Sequence, residues 1–161
     1  MGKALLQAAE EDVRSRGAGG LSLPVWMKAS WYRKRGYQKV DKQGMGVLLW
    51  KPFEDDVPAP RWIKPKKKPE KEAGKVVVTA FINGWCPAQS INYERAKRAA
   101  AEFGDEVKFR EINTFDRDVF LEWGIQDGLY LDEKNILRGP PLKFEKIKKK
   151  IAVKVKKIKR P

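Results

Sequence analysis

The stretch KVVVTAFINGWCPAQSINYERAKRAAAEF, residues 75–103, decides the fold of the second half of the chain. Its first part, residues 76–82, is rich in β-branched residues and apolar on both faces, which predicts a strand buried in the middle of a sheet. Asn83 and Gly84 then break the run. The segment after the break has apolar residues at helical spacing, namely Tyr93, Ala96, Ala100 and Phe103. A buried strand therefore passes through a tight turn into a helix, and Cys86, the only cysteine, lies on that turn.

The rest of the C-terminal half supplies packing partners for this strand and helix. Residues 106–113 alternate as a strand does, and residues 117–123 favour a short helix capped by Thr114 or Asp116. Residues 128–137 are typical of a hairpin. A final helix has an apolar face that includes Phe144, Ile147 and Ile151. The predicted order of elements from residue 75 onward is β-α-β-α-β-β-α.

The N-terminal part has a different order, α-β-α-β-β. Residues 3–16 and 26–35 have the pattern of helices, residues 21–23 form a short strand closed by a proline, and residues 37–53 form a hairpin. Residues 54–74 hold four of the ten prolines and charges of both signs, which is typical of an extended linker. We therefore predict an α/β protein with one unit at residues 1–53, a linker at 54–74 and a second unit at 75–161.

The composition excludes several classes of site. There is no histidine and only one cysteine, so His-based catalytic triads, zinc sites and internal disulfides are ruled out, and no metal is expected. A single cysteine fits a reducing cytoplasm. No run of about 18 apolar residues is present, so we expect no transmembrane segment.

The net charge of +14 is concentrated at the C-terminal end. Residues 143–161 hold 10 basic groups and 1 acidic group, whereas residues 75–142 hold 9 and 11. Residues 146–160 therefore have the pattern of a basic amphipathic helix, which can bind a nucleic acid, an anionic surface or the acidic face of a partner. The alternative is a solvated helix docked on the sheet.

Three segments of the N-terminal unit carry a family resemblance. The sequences GKALLQAAEEDVRSRGAGGLSL, ASWYRKRGYQKV and GVLLWKPF resemble the second half of an N-acetyltransferase of the GNAT family. The family's cofactor loop ends in a small residue at the start of a helix, a position that Gly2 and Lys3 match. Tyr32 matches the family's tyrosine four residues before a Gly-Tyr pair.

This resemblance implies an activity and the residues that carry it. Gly2 and Lys3 would contribute to the pyrophosphate site of acetyl-CoA, because helix N-termini attract anions. Tyr32 would act as the general acid that protonates the departing CoA thiolate. The acceptor would be a small-molecule or peptide amine. The earlier loop residues and the first strands of the family are absent from the sequence, so we expect this chain alone to have an incomplete acetyltransferase site. The alternative role of Tyr32 is aromatic packing under the sheet.

The C-terminal unit resembles the thioredoxin fold, with the sequence NGWCPAQ at the first strand-to-helix turn. Together with the preceding segments, it is similar to the YoaP-like domain found on some GNAT proteins. A dithiol motif would need a second cysteine three residues after Cys86, where the chain has Gln89, and no proline stands at residues 125–129. Cys86 is therefore a monothiol site, a structural turn, or part of a partner-binding surface.

Two functional hypotheses follow from these resemblances. The chain is part of an acetyl-CoA-dependent N-acetyltransferase with an accessory thioredoxin-like domain. Alternatively, it is a non-catalytic thioredoxin-like binding module or a monothiol redox-related domain. An exposed sheet edge in the N-terminal unit would also favour a homodimer.

Overall fold

A computed structural model describes residues 2–26, 29–44, 46–137 and 140–159. The chain divides into two compact units, Met1–Trp62 and Ile63–Pro161. The division falls inside the predicted linker. We call them unit 1 and unit 2 and describe each by itself.

Unit 1 has the predicted order of elements. They are α1 (Gly2–Ser15), β1 (Gly20–Val25), α2 (Ala29–Arg33), β2 (Gln38–Gln43) and β3 (Gly46–Pro52). The three strands form an antiparallel sheet in the order β1-β3-β2. Strand β1 is longer than the predicted strand at residues 21–23, because it continues through Pro24 instead of ending before it. An edge strand tolerates this proline, since one side of its backbone needs no ladder partner.

The second helix of unit 1 is shorter than the predicted helix at residues 26–35. Trp26 lies in a bend and is 66% exposed, residues 27 and 28 lie outside the described part of the chain, and α2 ends at Arg33. The backbone N–H groups of Arg35 and Tyr37 both donate to the carbonyl of Tyr32. These hydrogen bonds form a tight turn directly after the helix. Gly36, with a φ of 90°, allows this turn.

The core of unit 1 is small. Its buried cluster consists of Val25, Tyr37 and Leu49. Half-buried apolar side chains surround it, including Leu6 and Tyr32. Helix α1 has no buried residue, so it covers the sheet without burying any side chain fully.

Unit 2 also has the predicted order, with one extra 3₁₀ turn, Gly104–Glu106. Its sheet has the order β5-β4-β6-β7, with β4 in the middle as its two-sided apolar pattern predicted. Strand β4 is parallel to β5 and antiparallel to β6, and β6 is antiparallel to β7. The elements are β4 (Val76–Ile82), α3 (Pro87–Ala101), β5 (Val107–Asn113), α4 (Arg117–Trp123), β6 (Gly128–Leu131), β7 (Lys134–Asn135) and α5 (Phe144–Ile158).

One face of the unit 2 sheet packs against α3 and α5. Val76, Val78 and Ala80 of β4 belong to this core cluster. The helices contribute small residues of α3 and the stripe Ile147, Ile151 and Val155 of α5. Burial of this many aliphatic side chains supplies most of the stability of such a unit.

The opposite face of the sheet is partly covered by the chain that enters unit 2. Lys108 and Arg110 of β5 point to this face, and both contact the carboxylate of Glu72, at 2.6 and 3.3 Å. The lysine N–H···O bond lowers the pKa of Glu72 below its usual value. Upstream, the backbone N–H of Lys66 donates to the carbonyl of Trp123 at 2.9 Å. The segment at residues 63–72 is therefore docked on unit 2, although it has neither helix nor strand.

Trp62, at the end of unit 1, is also anchored. Its backbone N–H donates to a carboxylate oxygen of Asp41 on β2 at 2.9 Å. This hydrogen bond holds the tryptophan to the sheet of unit 1.

No helix in the described ranges combines the length and the apolar character that a membrane span requires.

Candidate functional site

The turn that carries Cys86 is built by local hydrogen bonds. Gly84 has a φ of 75°, and the side-chain oxygen of Asn83 accepts from the N–H of Trp85 at 3.1 Å. Cys86 occupies the N-cap of α3 in an extended conformation, but its side chain does not cap the helix. Its thiol is partly exposed. The turn therefore places Cys86 at the N-terminus of α3.

Asn83 also connects this turn to two other loops. Its amide group donates to the carbonyl of Gln126 at 3.3 Å and to the carboxylate of Asp127 at 3.4 Å. The hydroxyl of Thr114 donates to the same carbonyl of Gln126. Burial raises the pKa of Asp127 above its usual value, and the Asn83 hydrogen bond opposes this shift. The network joins the ends of β4 and β5 to the start of β6.

Two large aromatic side chains are exposed beyond the same edge of the sheet. Trp85 is 59% exposed and Phe115 is 82% exposed. The register pairs Ile82 with Asn113, so the loops that carry the two aromatic residues leave the sheet side by side. Exposed aromatic residues at the carboxyl ends of parallel strands are typical of a binding surface.

Several features limit the chemistry of this turn. The residue three positions after Cys86, in the first turn of α3, is Gln89 rather than a second cysteine, and the described residues include no cis peptide bond. The described residues contain no group of three or more acidic or thiol side chains that could hold a metal ion. What remains is one accessible thiol beside exposed aromatic rings. This arrangement can bind a partner or form a mixed disulfide, but it cannot resolve that disulfide with a second thiol of its own.

Tyr32, the predicted general acid, lies on α2 in unit 1. Its ring contacts Trp31 and Tyr37 edge-on, with centroid distances of 4.8 and 5.9 Å. It is half-buried against the unit 1 core, as the packing alternative expects. Its hydroxyl makes no hydrogen bond to any residue that the structure describes.

Gly2, one of the two predicted cofactor residues, lies close to the same helix. A methyl group added at Gly2 would lie 3.6 Å from the Trp31 ring, which itself contacts Tyr32. The structure thus brings the start of α1 and the Tyr32 helix together around Trp31. Residues about 30 apart in sequence meet here because α1 and α2 belong to the same small unit.

Lys3, the other predicted cofactor residue, lines a groove of about 480 Å³ on α1. Arg14, Arg35 and Lys51 line it as well. Arg35 stacks on Trp31, with the guanidinium carbon 3.7 Å from the ring centroid, and donates to the Trp31 carbonyl at 2.6 Å. The groove is therefore rich in cationic groups next to the position of Gly2.

One of the acidic residues of this groove is already paired, a feature that the sequence analysis did not predict. Glu10 accepts from the hydroxyl of Tyr37 at 3.0 Å and forms an ion pair with Lys51 at 2.6 Å. The pKa of Tyr37 is raised well above its usual value. Burial is the larger cause, and the hydrogen bond to Glu10 is the second. The three residues are far apart in the chain, so no local pattern signals their contact. In the hydrogen-bond network around Asn83 in unit 2, a sequence signal exists for Asn83 itself, because the Asn-Gly pair predicts a turn.

The four predicted site residues belong to two separate regions. Gly2, Lys3 and Tyr32 are in unit 1, and Cys86 is in unit 2. A scan against protein-family models and a search of curated proteins found no match to this chain. The functional argument therefore depends on the residues themselves.

Proposed function

We propose that unit 1 is the cofactor-binding part of an acetyl-CoA-dependent N-acetyltransferase of the GNAT family, and that unit 2 is its thioredoxin-like accessory domain. The observation that carries the proposal is the meeting of Gly2 and Tyr32 around Trp31. These are the residues to which the family resemblance assigns cofactor binding and proton donation.

The electrostatics of unit 1 support the same assignment. Lys3 and Arg35 line the groove near the start of α1, and Arg14 lines it at the other end of that helix. Cationic side chains near a helix N-terminus favour the phosphates of a nucleotide cofactor. Glu10 opposes such binding less than a free carboxylate would, because Lys51 already neutralises it.

In the proposed reaction, acetyl-CoA supplies an acyl group activated as a thioester. The neutral acceptor amine forms the new C–N bond as the C–S bond breaks, and it releases one N–H proton to solvent, from which the tyrosine is reprotonated. Tyr32 donates its hydroxyl proton to the departing sulfur, which a phenol without another hydrogen-bond partner can do. Lys3 binds phosphate groups, and Trp31 positions the tyrosine through its ring contact.

The test uses the polypeptide translated from the whole reading frame, with any coding sequence upstream of Met1. Tyr32→Phe should lower kcat by about 10²-fold, the usual size of a general-acid contribution, while the Kd for acetyl-CoA changes little. Release of the CoA thiol measures kcat, and calorimetry measures binding. Tyr37→Phe is the matched control, since its hydroxyl is bound to Glu10, and it should keep kcat within about twofold.

Two outcomes would count against the proposal. Wild-type kcat in the Tyr32→Phe variant would remove the tyrosine from the chemistry. Failure of the whole polypeptide to bind acetyl-CoA would remove the family assignment. For residues 1–161 alone we expect weak or absent binding, and micromolar binding would show that the groove of unit 1 is sufficient.

A second candidate function for unit 2 is supported by the exposed aromatic pair. Trp85 and Phe115 beside Cys86 favour a thioredoxin-like surface that binds a peptide or a thiol compound without dithiol chemistry. A monothiol role requires Cys86 to react with a disulfide probe at neutral pH at least about tenfold faster than an exposed cysteine in a model peptide. A slower reaction would exclude the monothiol role and leave only the binding role for this surface.

A further inference from the structure

A second groove, of about 420 Å³, lies between α5 and the β6–β7 hairpin of unit 2. Its apolar lining consists of Leu131, Ile136 and Val153. The remaining lining residues are all lysines, namely Lys134, Lys146, Lys149, Lys150 and Lys154. We call it the lysine groove.

The fold divides the side chains of α5 among three directions. Ile147, Ile151 and Val155 point into the core, with exposures of 0%, 0% and 7%. On one flank, Lys148 forms an ion pair with Glu102. Near the end of that flank, Lys159 forms an ion pair with Glu106. The acidic residues at the end of α3 and in the following turn therefore neutralise this side of the helix.

The other flank, which faces the lysine groove, is not neutralised in this way. Lys154 pairs with the buried Asp132 at 2.5 Å, and this carboxylate also accepts from the backbone N–H of Val77. The other four lysines of the groove have no ion pair with any described residue. Like charges held on one helix face and the adjacent strand repel one another, so an anionic ligand is favoured there.

We propose that the lysine groove binds an acidic segment of a partner protein that places aliphatic or aromatic side chains between its carboxylates. The aliphatic lining would accept the apolar side chains, and the unpaired lysines would contact the carboxylates. Val153 is 48% exposed at the centre of this surface. Its exposure leaves apolar area for a ligand to cover.

The same contacts favour a protein partner over a membrane or a nucleic acid. A basic amphipathic helix inserts into a membrane by its apolar face, but the apolar face of α5 is already buried in the core. Single-stranded nucleic acids are held by aromatic stacking and by arginine, and neither residue type lines this groove.

The test measures binding of a fluorescein-labelled peptide to the full chain at low salt, by fluorescence anisotropy. The peptide has about 12 residues, with pairs of glutamates separated by leucine or phenylalanine, and a second peptide has serine at the apolar positions. We expect a Kd on the order of 10–100 µM for the first peptide and at least about tenfold weaker binding for the second.

Matched variants locate the binding surface. Lys149→Ala with Lys150→Ala should weaken binding about tenfold, and Val153→Asp should weaken it at least as much. Lys64→Ala with Lys66→Ala removes the same charge outside the groove and should change the Kd by less than about twofold. Circular dichroism confirms that each variant is folded.

Three results would overturn the proposal. Equal loss of binding in the groove and control variants would indicate non-specific charge attraction, as would equal binding of the two peptides. Tighter binding of a single-stranded RNA or of phosphatidylserine vesicles than of the peptide, lost in the Lys149/Lys150 variant, would assign the groove to that ligand.

Discussion

Units 1 and 2 each combine helices with one β-sheet, but they are stabilised in different ways. Unit 2 buries a continuous aliphatic core between its sheet and two long helices. Unit 1 buries one small cluster, and its long helix α1 contributes no buried residue. Its contact with the sheet includes the polar group of Glu10, Tyr37 and Lys51. Apolar area buried is therefore the main difference between them.

Helices α1 and α5 show this difference most directly. Both have apolar residues at helical spacing and polar residues on the other faces. In α5 the stripe is fully buried, whereas Leu5 of α1 is 66% exposed and Leu6 is half-buried. An amphipathic pattern thus predicts a helix but not how deeply the helix is buried. Three substitutions test how each unit is stabilised.

The largest effect is expected from Ile147→Ala in α5. Ile147 is fully buried in the unit 2 core, so its truncation should lower the free energy of unfolding of unit 2 by about 2–5 kcal/mol. Urea unfolding followed by segment-resolved hydrogen exchange measures this change in each unit. Val153→Ala, on an exposed position of the same helix, should cost less than about 1 kcal/mol. A similar loss in both variants would contradict the burial of this face.

The next effect is expected from Gly124→Ala, which tests the docking of residues 63–72 on unit 2. Gly124 has a φ of 67°, and a methyl group there would lie 2.1 Å from the carbonyl oxygen of Lys64. The variant should lose about 2–3 kcal/mol of unit 2 stability and expose the amide of Lys66 to exchange. Gly104→Ala is the control, since it has a φ of 52° but open space around it, and backbone strain alone should cost about 1 kcal/mol. Equal losses would show that the segment is not held at Gly124.

The smallest effect is expected from Glu10→Gln in unit 1. The amide can still accept from Tyr37, but the ion pair with Lys51 is lost, so unit 1 should lose about 1 kcal/mol. Amides of α1 should exchange faster while those of unit 2 do not change. Glu11→Gln, which changes an exposed carboxylate one residue away, should cost less than about 0.5 kcal/mol. An unchanged α1 in the Glu10 variant would mean that apolar contacts alone hold this helix.

Local signals in the sequence predicted most elements closely. The helix at Arg117–Trp123 has the predicted bounds, because Asp116 caps its start and Gly124, in a left-handed conformation, ends it. Thr114, the alternative cap, instead donates to the carbonyl of Gln126. The predicted helix at residues 26–35 was too long. A tryptophan that precedes a run of helical spacing does not by itself mark the start of the helix.

For the candidate sites too, local sequence predicted some features and missed others. The sequence located Cys86 at a strand-to-helix turn and Tyr32 on a short helix, because both positions depend on neighbouring residues. It did not predict the exposed aromatic pair beside Cys86 or the contact between Gly2 and Trp31. These depend on strand register and on how separate elements pack.

Local sequence patterns were enough to predict the α/β class, the order of the elements, the central position of β4 and the basic character of α5. Periodicity, capping residues and composition act over a few residues, so they can be read without the fold. Which charges of α5 are neutralised depends instead on how distant segments pack. Glu102, Glu106 and Asp132 lie 46, 53 and 22 residues before the lysines that they pair with, and sequence spacing does not encode such contacts. Glu102 and Glu106 neutralise one flank of the helix, whereas on the flank of the lysine groove only Lys154 has an acidic partner among the described residues.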